Sequence, residues 1–170
     1  MILDVYLYKC SDDAEILTGK EIGDIAHACF NECGVKTGHI FLNFNYVNRE
    51  EMVKANKKFR KQNHATNVLS FEPKAVDRKS LYEDNENINF YLGDLLVNKD
   101  IVEEEAKKLN CSVRDRCIML CAHGILHLLG FNHKTKEDEQ KMYEIQDKIC
   151  RRFGLKEWYH YNVYDVKDED

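Results

Sequence analysis

The stretch that decides the fold is HGILHLLGFNH, residues 123–133, because it places three imidazoles in a run that otherwise has the composition of a buried core. From Cys117 to Phe131 the chain reads CIMLCAHGILHLLGF, and the two histidines are its polar side chains. A helix that is apolar on all sides normally lies in the interior of a protein. Burying an imidazole without a partner costs a few kcal/mol, so His123 and His127 need hydrogen-bond partners or a metal.

The spacing of the three histidines is typical of a metal site. His123 and His127 are four residues apart, so on a helix they project from the same side one turn from each other. His133 follows Gly130, and a glycine there lets the chain turn sharply and bring a third imidazole back to the first two. Three neutral imidazoles that leave a fourth position to water are the ligand set of a catalytic zinc, whereas structural sites usually fill all four positions with protein ligands. The segment therefore predicts a catalytic zinc site.

The same segment has the spacing of a peptidase motif, with one difference. HxxxHxxGxxH equals the spacing of the metzincin motif HExxHxxGxxH, in which the glutamate is the general base. Gly124 stands at the position of that glutamate. Unless a carboxylate such as Asp94 reaches the metal from another element, nothing in this segment activates water for peptide hydrolysis. A metallopeptidase is therefore the less favoured alternative.

Outward from this segment, strand and helix patterns alternate along the chain. β-branched and aromatic residues predict strands at residues 2–8, 39–47, 66–71 and 89–98. An apolar stripe predicts a helix at residues 20–34, and another helix is predicted from Lys99 to Leu109. Three further helices are predicted to start at polar residues that have an acidic residue three positions on, namely Asn48, Ser112 and Thr135. The polar segment 74–88 is predicted to be an exposed loop.

Composition limits the class of protein. With 44% hydrophobic residues and a single proline, the chain is predicted to form one compact domain over residues 1–170, with residues 165–170 as a flexible acidic tail. The first twenty residues lack the features of a secretory or organelle leader, and no apolar run reaches the length of a bilayer span. Seven cysteines without a CxxC pair are predicted to be small buried thiols in a reducing compartment. We therefore expect a cytoplasmic protein that does not bind membranes.

The charge of the chain is unevenly distributed. The chain has 25 basic and 30 acidic residues, and this balance by itself counts against nucleic-acid binding. Between residues 54 and 64, however, the segment KANKKFRKQNH contains no acid. We interpret Lys57, Lys58, Arg60 and Lys61 as a stripe that binds phosphates, although a solvated helix face explains the lysines nearly as well. Arg60 differs from the lysines because a guanidinium grips a phosphate through two parallel hydrogen bonds.

Three segments together resemble one protein family. HGILHLLGFNH, the upstream NKKFRKQNHATNVLSF at residues 56–71 and LGD at residues 92–94 occur in the order found in the YbeY family. The resemblance implies an endoribonuclease that prefers single strands and acts in maturation of the 16S ribosomal RNA 3′ end and in ribosome quality control. It also implies an α/β (α+β) fold, with a small mixed sheet of about four strands packed against about five helices, which agrees with the predicted element order.

The resemblance assigns roles to individual residues. It implies that His123, His127 and His133 bind one Zn²⁺ per chain and that Arg60 is a functionally important residue near the metal cleft. Arg60 and His127 are accordingly the predicted catalytic residues. The implied partner is a ribosomal RNA precursor, and small-subunit ribosomal proteins are further candidates.

A mechanism follows as a hypothesis. Zinc, open at one position, polarises a phosphoryl oxygen or lowers the pKa of its water, and Arg60 stabilises the charge that develops on the phosphate. The nucleophile is either zinc-bound hydroxide or the ribose 2′-hydroxyl, and no general base is assigned. Ser70 and Asp94 are candidates for orienting a ligand histidine, although bonds to local backbone groups explain them slightly better.

One alternative function lies outside enzymology. A ribosome-assembly or RNA-binding factor would use its zinc only to stabilise the fold and would dock the basic stripe on RNA or on a ribosomal protein. The two roles differ in one observable outcome. Removing a catalytic metal abolishes cleavage while the fold survives, whereas removing a structural metal unfolds the protein.

Overall fold

The computed structural model describes residues 3–9, 16–36, 38–75 and 77–155, which form a four-stranded sheet packed against five α-helices. The predicted α/β (α+β) class in a single domain is confirmed. The strands are β1 (Leu3–Lys9), β2 (Gly38–Val47), β3 (Val68–Phe71) and β4 (Asn89–Asn98). The helices are α1 (Gly19–Glu32), α2 (Arg49–Arg60), α3 (Lys99–Leu109), α4 (Val113–Leu128) and α5 (Lys136–Arg152). The predicted tail at residues 165–170 lies outside the described residues.

The sheet is mixed and has the strand order β1-β2-β4-β3. β1, β2 and β4 run parallel, and β3 pairs with β4 in the antiparallel direction. Side chains of β2 alternate between buried and partly exposed positions, so one face of the sheet carries the core and the other faces outward. β3 lies at one edge of the sheet and contacts α4, the helix that carries two of the histidines.

A glycine fixes the path of β4 where it passes β3. The pairing of β4 with β2 shifts register between Phe41 and Leu42, because β4 has one extra residue just before Gly93. Gly93 has φ +137°, a backbone region that favours glycine, and a Cβ at this position would overlap the carbonyl oxygen of Phe71. The LGD segment therefore permits a close approach between the two strands.

The predicted helix starts are confirmed by their capping bonds. At the start of α2, Asn48 Oδ1 accepts from the backbone N–H of Glu51, whose carboxylate accepts from the backbone N–H of Asn48. The side chains of Ser112 and Thr135 accept bonds from backbone N–H groups three residues on, at the starts of α4 and α5. Each bond satisfies a donor that has no partner inside its helix.

α4 is the central helix of the molecule. It packs against α1, α3, α5, β3 and β4, and twelve of its sixteen residues are buried. Although α4 is apolar, neither it nor any other described helix combines the length and apolarity needed to span a bilayer. An unpredicted charge, Arg116, lies within it at 0% exposure. Its Nε and Nη2 donate to Glu105 Oε2 of α3 at 2.8 and 2.7 Å, so an ion pair with a buried arginine and a partly exposed glutamate joins the two helices.

The polar segment 74–88 is more ordered than an exposed loop. It contains a 3₁₀ turn, Arg78–Tyr82, in which Leu81 is fully buried in the core. Arg78 is also partly buried, and its Nε donates to the carbonyl oxygen of Leu128 at the end of α4 at 3.0 Å. A single leucine in a polar run gives no periodicity, which is why the sequence did not indicate this anchor.

The cysteines of the described residues are free thiols, as predicted, but Cys33 and Cys111 are only partly buried. Cys29, Cys117, Cys121 and Cys150 are buried in the core, where a thiol packs as a small apolar side chain. Cys10 lies outside the described residues.

Candidate metal centre

Three histidines meet where α4 ends. His123 and His127 lie on the last turns of α4, and His133 follows in the loop that leads to α5. One ring nitrogen of each residue lies within 4.8 Å of those of the other two. The structure therefore brings together the three imidazoles that the sequence singles out.

A tight turn after α4 makes this convergence possible. Gly130 has φ +100°, and its N–H donates to the carbonyl oxygen of His127 at 2.9 Å, while the N–H of Phe131 donates to that of Leu126 at 3.0 Å. These bonds form the glycine-dependent end of an α-helix. The side chain of Arg78 covers the turn, since a Cβ at position 130 would lie 3.4 Å from it.

Two hydrogen bonds fix the orientation of the rings on α4. His123 Nδ1 lies 2.9 Å from Gln146 Oε1 of α5, and His127 Nδ1 lies 2.9 Å from the carbonyl oxygen of Phe131. Both oxygens can only accept, so each ring carries its proton on Nδ1 and presents the lone pair of Nε2. The amide of Gln146 turns its oxygen toward His123, because its Nε2 donates to the Met119 sulfur on the other side at 3.1 Å.

The two Nε2 atoms face each other at a separation of 2.9 Å. Lone pairs at this distance repel, and a cation between them would remove the repulsion. Ligand nitrogens on a tetrahedral zinc are about 3.3 Å apart for bonds of about 2.0–2.1 Å, so only a small adjustment is needed. The His133 ring lies beside both, with centroid distances of 5.7 Å to His123 and 5.0 Å to His127. The cluster can therefore hold a metal ion.

Burial keeps the imidazoles of His123 and His127 in the form that binds metals. His123 is 4% exposed, and its burial together with a charge on His127 lowers its pKa well below the usual value. Burial likewise lowers the pKa of His127. Because the protonated forms are disfavoured, neutral nitrogen ligands are available around neutral pH.

Packing explains the glycine at the position of the metzincin glutamate. Gly124 lies where α4 crosses the sheet, and a Cβ there would overlap Leu95 Cδ1 and lie 3.2 Å from Ser70 Oγ. Side chains of β3 and β4 therefore occupy the space that a glutamate at this position would need. The packing of α4 on the sheet therefore excludes a glutamate base at position 124.

The histidines open onto a cleft of about 580 Å³. Its other walls come from the end of α2, from β3 and from the turn after α4, and the polar residues that line it include Arg60, Ser70, Arg78 and Lys134. The sequence analysis did not predict Arg78 and Lys134 as residues of the site. The position of Lys134 next to His133 could have identified it, whereas nothing in the sequence distinguishes Arg78 from other surface arginines.

The fold and the cleft match a known protein family. A family model described as Endoribonuclease YbeY matches residues 9–154. The chain belongs to the YbeY family of endoribonucleases. The matched region includes the three histidines and Arg60, so the candidate metal centre lies within the part of the chain that defines the family.

Individual members of the YbeY family support this assignment. The Endoribonuclease YbeY of Buchnera aphidicola subsp. Baizongia pistaciae is 37% identical over 118 residues, which are 68% of this chain and 70% of that protein. The Endoribonuclease YbeY of Limosilactobacillus reuteri (strain DSM 20016) is 38% identical over 118 residues, 67% of this chain and 74% of that protein. The solution structure of TM1509 from Thermotoga maritima is 23% identical, covers 99% of this chain and 97% of that chain with a TM-score of 0.56, and supports the fold.

The basic residues predicted to bind substrate divide into two groups in this YbeY-family chain. Arg60 lines the metal cleft, and its Nη2 donates to the carbonyl oxygen of Ser70 at 2.6 Å. Lys57, Lys58 and Lys61 are exposed at the end of α2 and are not among the described residues that line the cleft. Arg60 is thus the residue of the stripe that the fold brings to the metal centre.

The two residues predicted to orient a histidine have other partners. Ser70 Oγ donates to the carbonyl oxygen of Gly124 at 3.0 Å and so ties β3 to α4 between the two ligands. The Asp94 carboxylate lies on the outward face of the sheet, where it accepts bonds from Asn43 Nδ2 and the Tyr91 hydroxyl, each at 2.8 Å. In the described contacts, the bonds that orient His123 and His127 come instead from α5 and from the turn after α4.

Gln146 is the main contact that was not predicted. It is 0% exposed and lies on the buried side of α5 with Met142, Ile149 and Cys150. A glutamine within an apolar stripe needs a hydrogen-bond partner, and that pattern is the signal that would have identified it.

Proposed function

We propose that this chain is a zinc-dependent endoribonuclease that prefers single strands and acts in maturation of the 16S ribosomal RNA 3′ end and in ribosome quality control. The observation that carries the proposal is that the three histidines and Arg60 line one cleft in a chain of the YbeY family. The proposed substrate is a ribosomal RNA precursor in the cytoplasm. Small-subunit ribosomal proteins are proposed as further partners.

His123, His127 and His133 are the proposed zinc ligands. Three imidazole donors, and a cleft that gives access to the remaining position, match catalytic zinc sites better than structural ones. A zinc ion bound there would supply Lewis acidity toward a phosphoryl oxygen or a water molecule. The bonds from Gln146 and from the Phe131 carbonyl hold the rings so that both Nε2 atoms point to the same place.

Arg60 is the proposed group that binds the reacting phosphate. Its bond to the Ser70 carbonyl uses one of the five N–H donors of a guanidinium and fixes the side chain against β3. The Arg60 guanidinium carbon also lies 5.5 Å from the centre of the Phe71 ring, which restrains it further. A guanidinium held in this way stabilises negative charge on a phosphate without having to reorganise.

The nucleophile distinguishes two versions of the reaction. If the ribose 2′-hydroxyl attacks, the products end in a 2′,3′-cyclic phosphate and a DNA copy of the substrate is not cut. If water attacks, no cyclic phosphate forms at any stage. Mass spectrometry of the product ends separates the two versions.

The two alternative functions are less well supported. The metallopeptidase lacks the glutamate of its motif, because Gly124 is packed against the sheet. Asp94 lies on the outward face of the sheet with other partners, and Glu72, which lines the cleft, pairs with Arg78. A factor with a purely structural zinc would be expected to have four protein ligands, whereas three histidines form this cluster among the described residues.

The proposed function is tested by cleavage of a 16S precursor RNA with the wild type, His127→Ala and Arg60→Ala. We expect at least a hundred-fold loss of the cleavage rate in both variants, because the first removes a ligand and the second a charge-stabilising donor. Arg152→Ala is the matched control, since Arg152 lies at the far end of α5 and pairs with Glu32. Circular dichroism must show that all proteins are folded. Equal cleavage by all four proteins would refute the proposal.

A further inference from the structure

A second groove, of about 700 Å³, adjoins the metal cleft on the outward side of the sheet. Phe59, Phe71 and Leu96 give it an apolar floor, and Lys74 lies at its margin. Arg60 and Glu72 line both the groove and the cleft, so the two are neighbouring parts of one surface. We call this second site the outer groove.

Phe59 is an unusual residue in the outer groove. It is 57% exposed although it is a large apolar side chain, and it packs against the Phe71 ring at a centroid distance of 4.9 Å. Lys58 Nζ lies 5.1 Å from the centre of the Phe59 ring. An exposed aromatic ring with a lysine beside it has the two features that bind single-stranded nucleic acid, a stacking surface and nearby positive charge.

Further aromatic rings continue this surface across the sheet. Tyr6, Phe41 and Tyr91 are paired neighbours on β1, β2 and β4, and their side chains lie in one row. Tyr6 and Tyr91 are each 41% exposed, and the Tyr6 and Phe41 rings stack at 4.8 Å. The Tyr91 hydroxyl donates to Asp94, which lines the outer groove and so connects this row to it. We call Tyr6, Phe41 and Tyr91 the aromatic row.

The charges around the outer groove suit a polyanion. Of its two carboxylates, Glu72 pairs with Arg78 at 2.5 Å, and Asp94 accepts bonds from the Asn43 amide and the Tyr91 hydroxyl. The cations Lys58, Arg60 and Lys74 lie on the same surface. Because Arg78 offsets the charge of Glu72, Asp94 is the one lining carboxylate without a cationic partner among the contacts described, and three cations outweigh it.

We propose that the outer groove and the aromatic row bind the unpaired RNA that flanks the bond cut in the metal cleft. Bases stack on Phe59, Tyr91 and Tyr6, while Lys58 and Lys74 contact phosphates. The inference rests on the proposed function, because the same RNA strand passes Arg60 from the cleft into the outer groove. It also gives a preference for single strands a physical basis, since bases inside a duplex do not offer their faces to side chains.

The test compares the KM for cleavage of an unstructured RNA of about 12 nucleotides, a length in the range of single-strand binding sites. We expect Phe59→Ala and Tyr91→Ala each to raise KM about ten-fold, as expected for the loss of one stacked base. Phe59→Trp should retain the wild-type KM because it keeps an aromatic face. Phe59→Leu should behave like Phe59→Ala, although it keeps an apolar side chain.

Tyr82→Ala is the matched control, because Tyr82 is also an exposed aromatic residue, at 39%, but lines neither groove among the described residues. Its KM should equal that of the wild type. Circular dichroism confirms that each variant folds. An unchanged KM for Phe59→Ala and Tyr91→Ala, or a wild-type KM for Phe59→Leu, would overturn the proposal and would point to a protein partner for this surface.

A second measurement separates failure of this inference from failure of the proposed function. Ultraviolet cross-linking of the same RNA to the wild type, followed by mass spectrometry, reports which residues contact bases whether or not the RNA is cut. We expect cross-links at Phe59 and Tyr91. Cleavage without such cross-links would overturn the inference and leave the proposed function intact. Cross-links without cleavage would contradict the proposed function and leave the surface standing only as a site that binds single-stranded RNA.

Discussion

α4 and α2 both contribute to the candidate site, but they hold their residues in opposite ways. In α4 twelve of the sixteen residues are buried, and its two histidines are fixed by bonds from other elements. In α2 only Met52 and Asn56 are buried, and the last turn, which carries Arg60, is exposed. The candidate metal ligands are therefore positioned by the core, whereas the basic residues are presented to solvent.

This difference predicts different consequences of substitution. Changes around α4 should alter the free energy of unfolding or the affinity for metal, because its neighbours are packed tightly. Changes on the exposed turn of α2 should leave both unchanged and should alter only the binding or the cleavage of RNA. The four predictions below test this contrast, from the largest expected effect to the smallest.

The largest effect is expected for Glu105→Ala, which removes the carboxylate that Arg116 binds through two nitrogens. Because the Arg116 guanidinium is fully buried in α4, loss of this partner should cost about 3 kcal/mol of unfolding free energy. Urea denaturation measures the change. Glu104→Ala on the same helix is the control, since Glu104 is exposed and should change stability by less than about 1 kcal/mol. Equal effects would contradict the buried role of the pair.

Gly124→Ala should destabilise the protein by about 2 kcal/mol, because the added methyl group would overlap Leu95 between α4 and the sheet. Thermal or urea unfolding measures this. Gly23→Ala is the matched control in α1, where a Cβ would meet no atom within 4 Å, and it should stabilise the protein slightly. A neutral Gly124→Ala would show that the crossing of α4 and β4 is looser than described.

Gln146→Leu should weaken zinc binding by roughly 10- to 100-fold, because it removes the acceptor that orients His123. Competition with a chromophoric chelator measures the affinity without reference to RNA cleavage. Gln140→Leu is the control on α5, since Gln140 is exposed and bonds to Glu144. If both variants bound zinc as the wild type does, Gln146 would have no role in positioning the ligand.

The smallest effect is expected for Lys57→Gln on the exposed side of α2. It should change the free energy of unfolding by less than about 0.5 kcal/mol and leave zinc affinity unchanged. If Lys57 contacts a phosphate, the slope of log affinity for RNA against log salt concentration should fall by about one. An unchanged slope would assign Lys57 to the solvated face of α2. Loss of stability instead would contradict the contrast between the two helices.

The fold and the convergence of the three histidines were predictable because their signals are local. Strand and helix periodicities, the polar starts of α2, α4 and α5, and the glycine after α4 are all visible along the chain. The resemblance of HGILHLLGFNH to the YbeY family further predicted the mixed sheet and the zinc site. Each of these signals depends only on residues that are close in sequence, so it can be recognised without knowledge of the tertiary contacts.

The contacts that complete the site were not predictable in the same way. Gln146, Arg78 and Arg116 act through partners that lie 11 to 50 residues away in sequence. Asp94 has a suitable side chain for supporting a ligand, but the pleat of β4 directs it to the outward face. The aromatic row also appears only when strands β1, β2 and β4 are placed side by side. The roles of these residues depend on contacts between segments that are distant in sequence, and residue type alone does not indicate them.

The central claim is that the histidine cluster holds a metal that is needed for cleavage rather than for folding. Its most direct test is to strip the protein of metal with a chelator, add zinc back in steps, and follow both circular dichroism and cleavage of the 16S precursor. We expect an unchanged fold throughout, with cleavage rising from none to a maximum at one zinc per chain. Undiminished cleavage by the metal-free protein, or unfolding on removal of the metal, would contradict the claim.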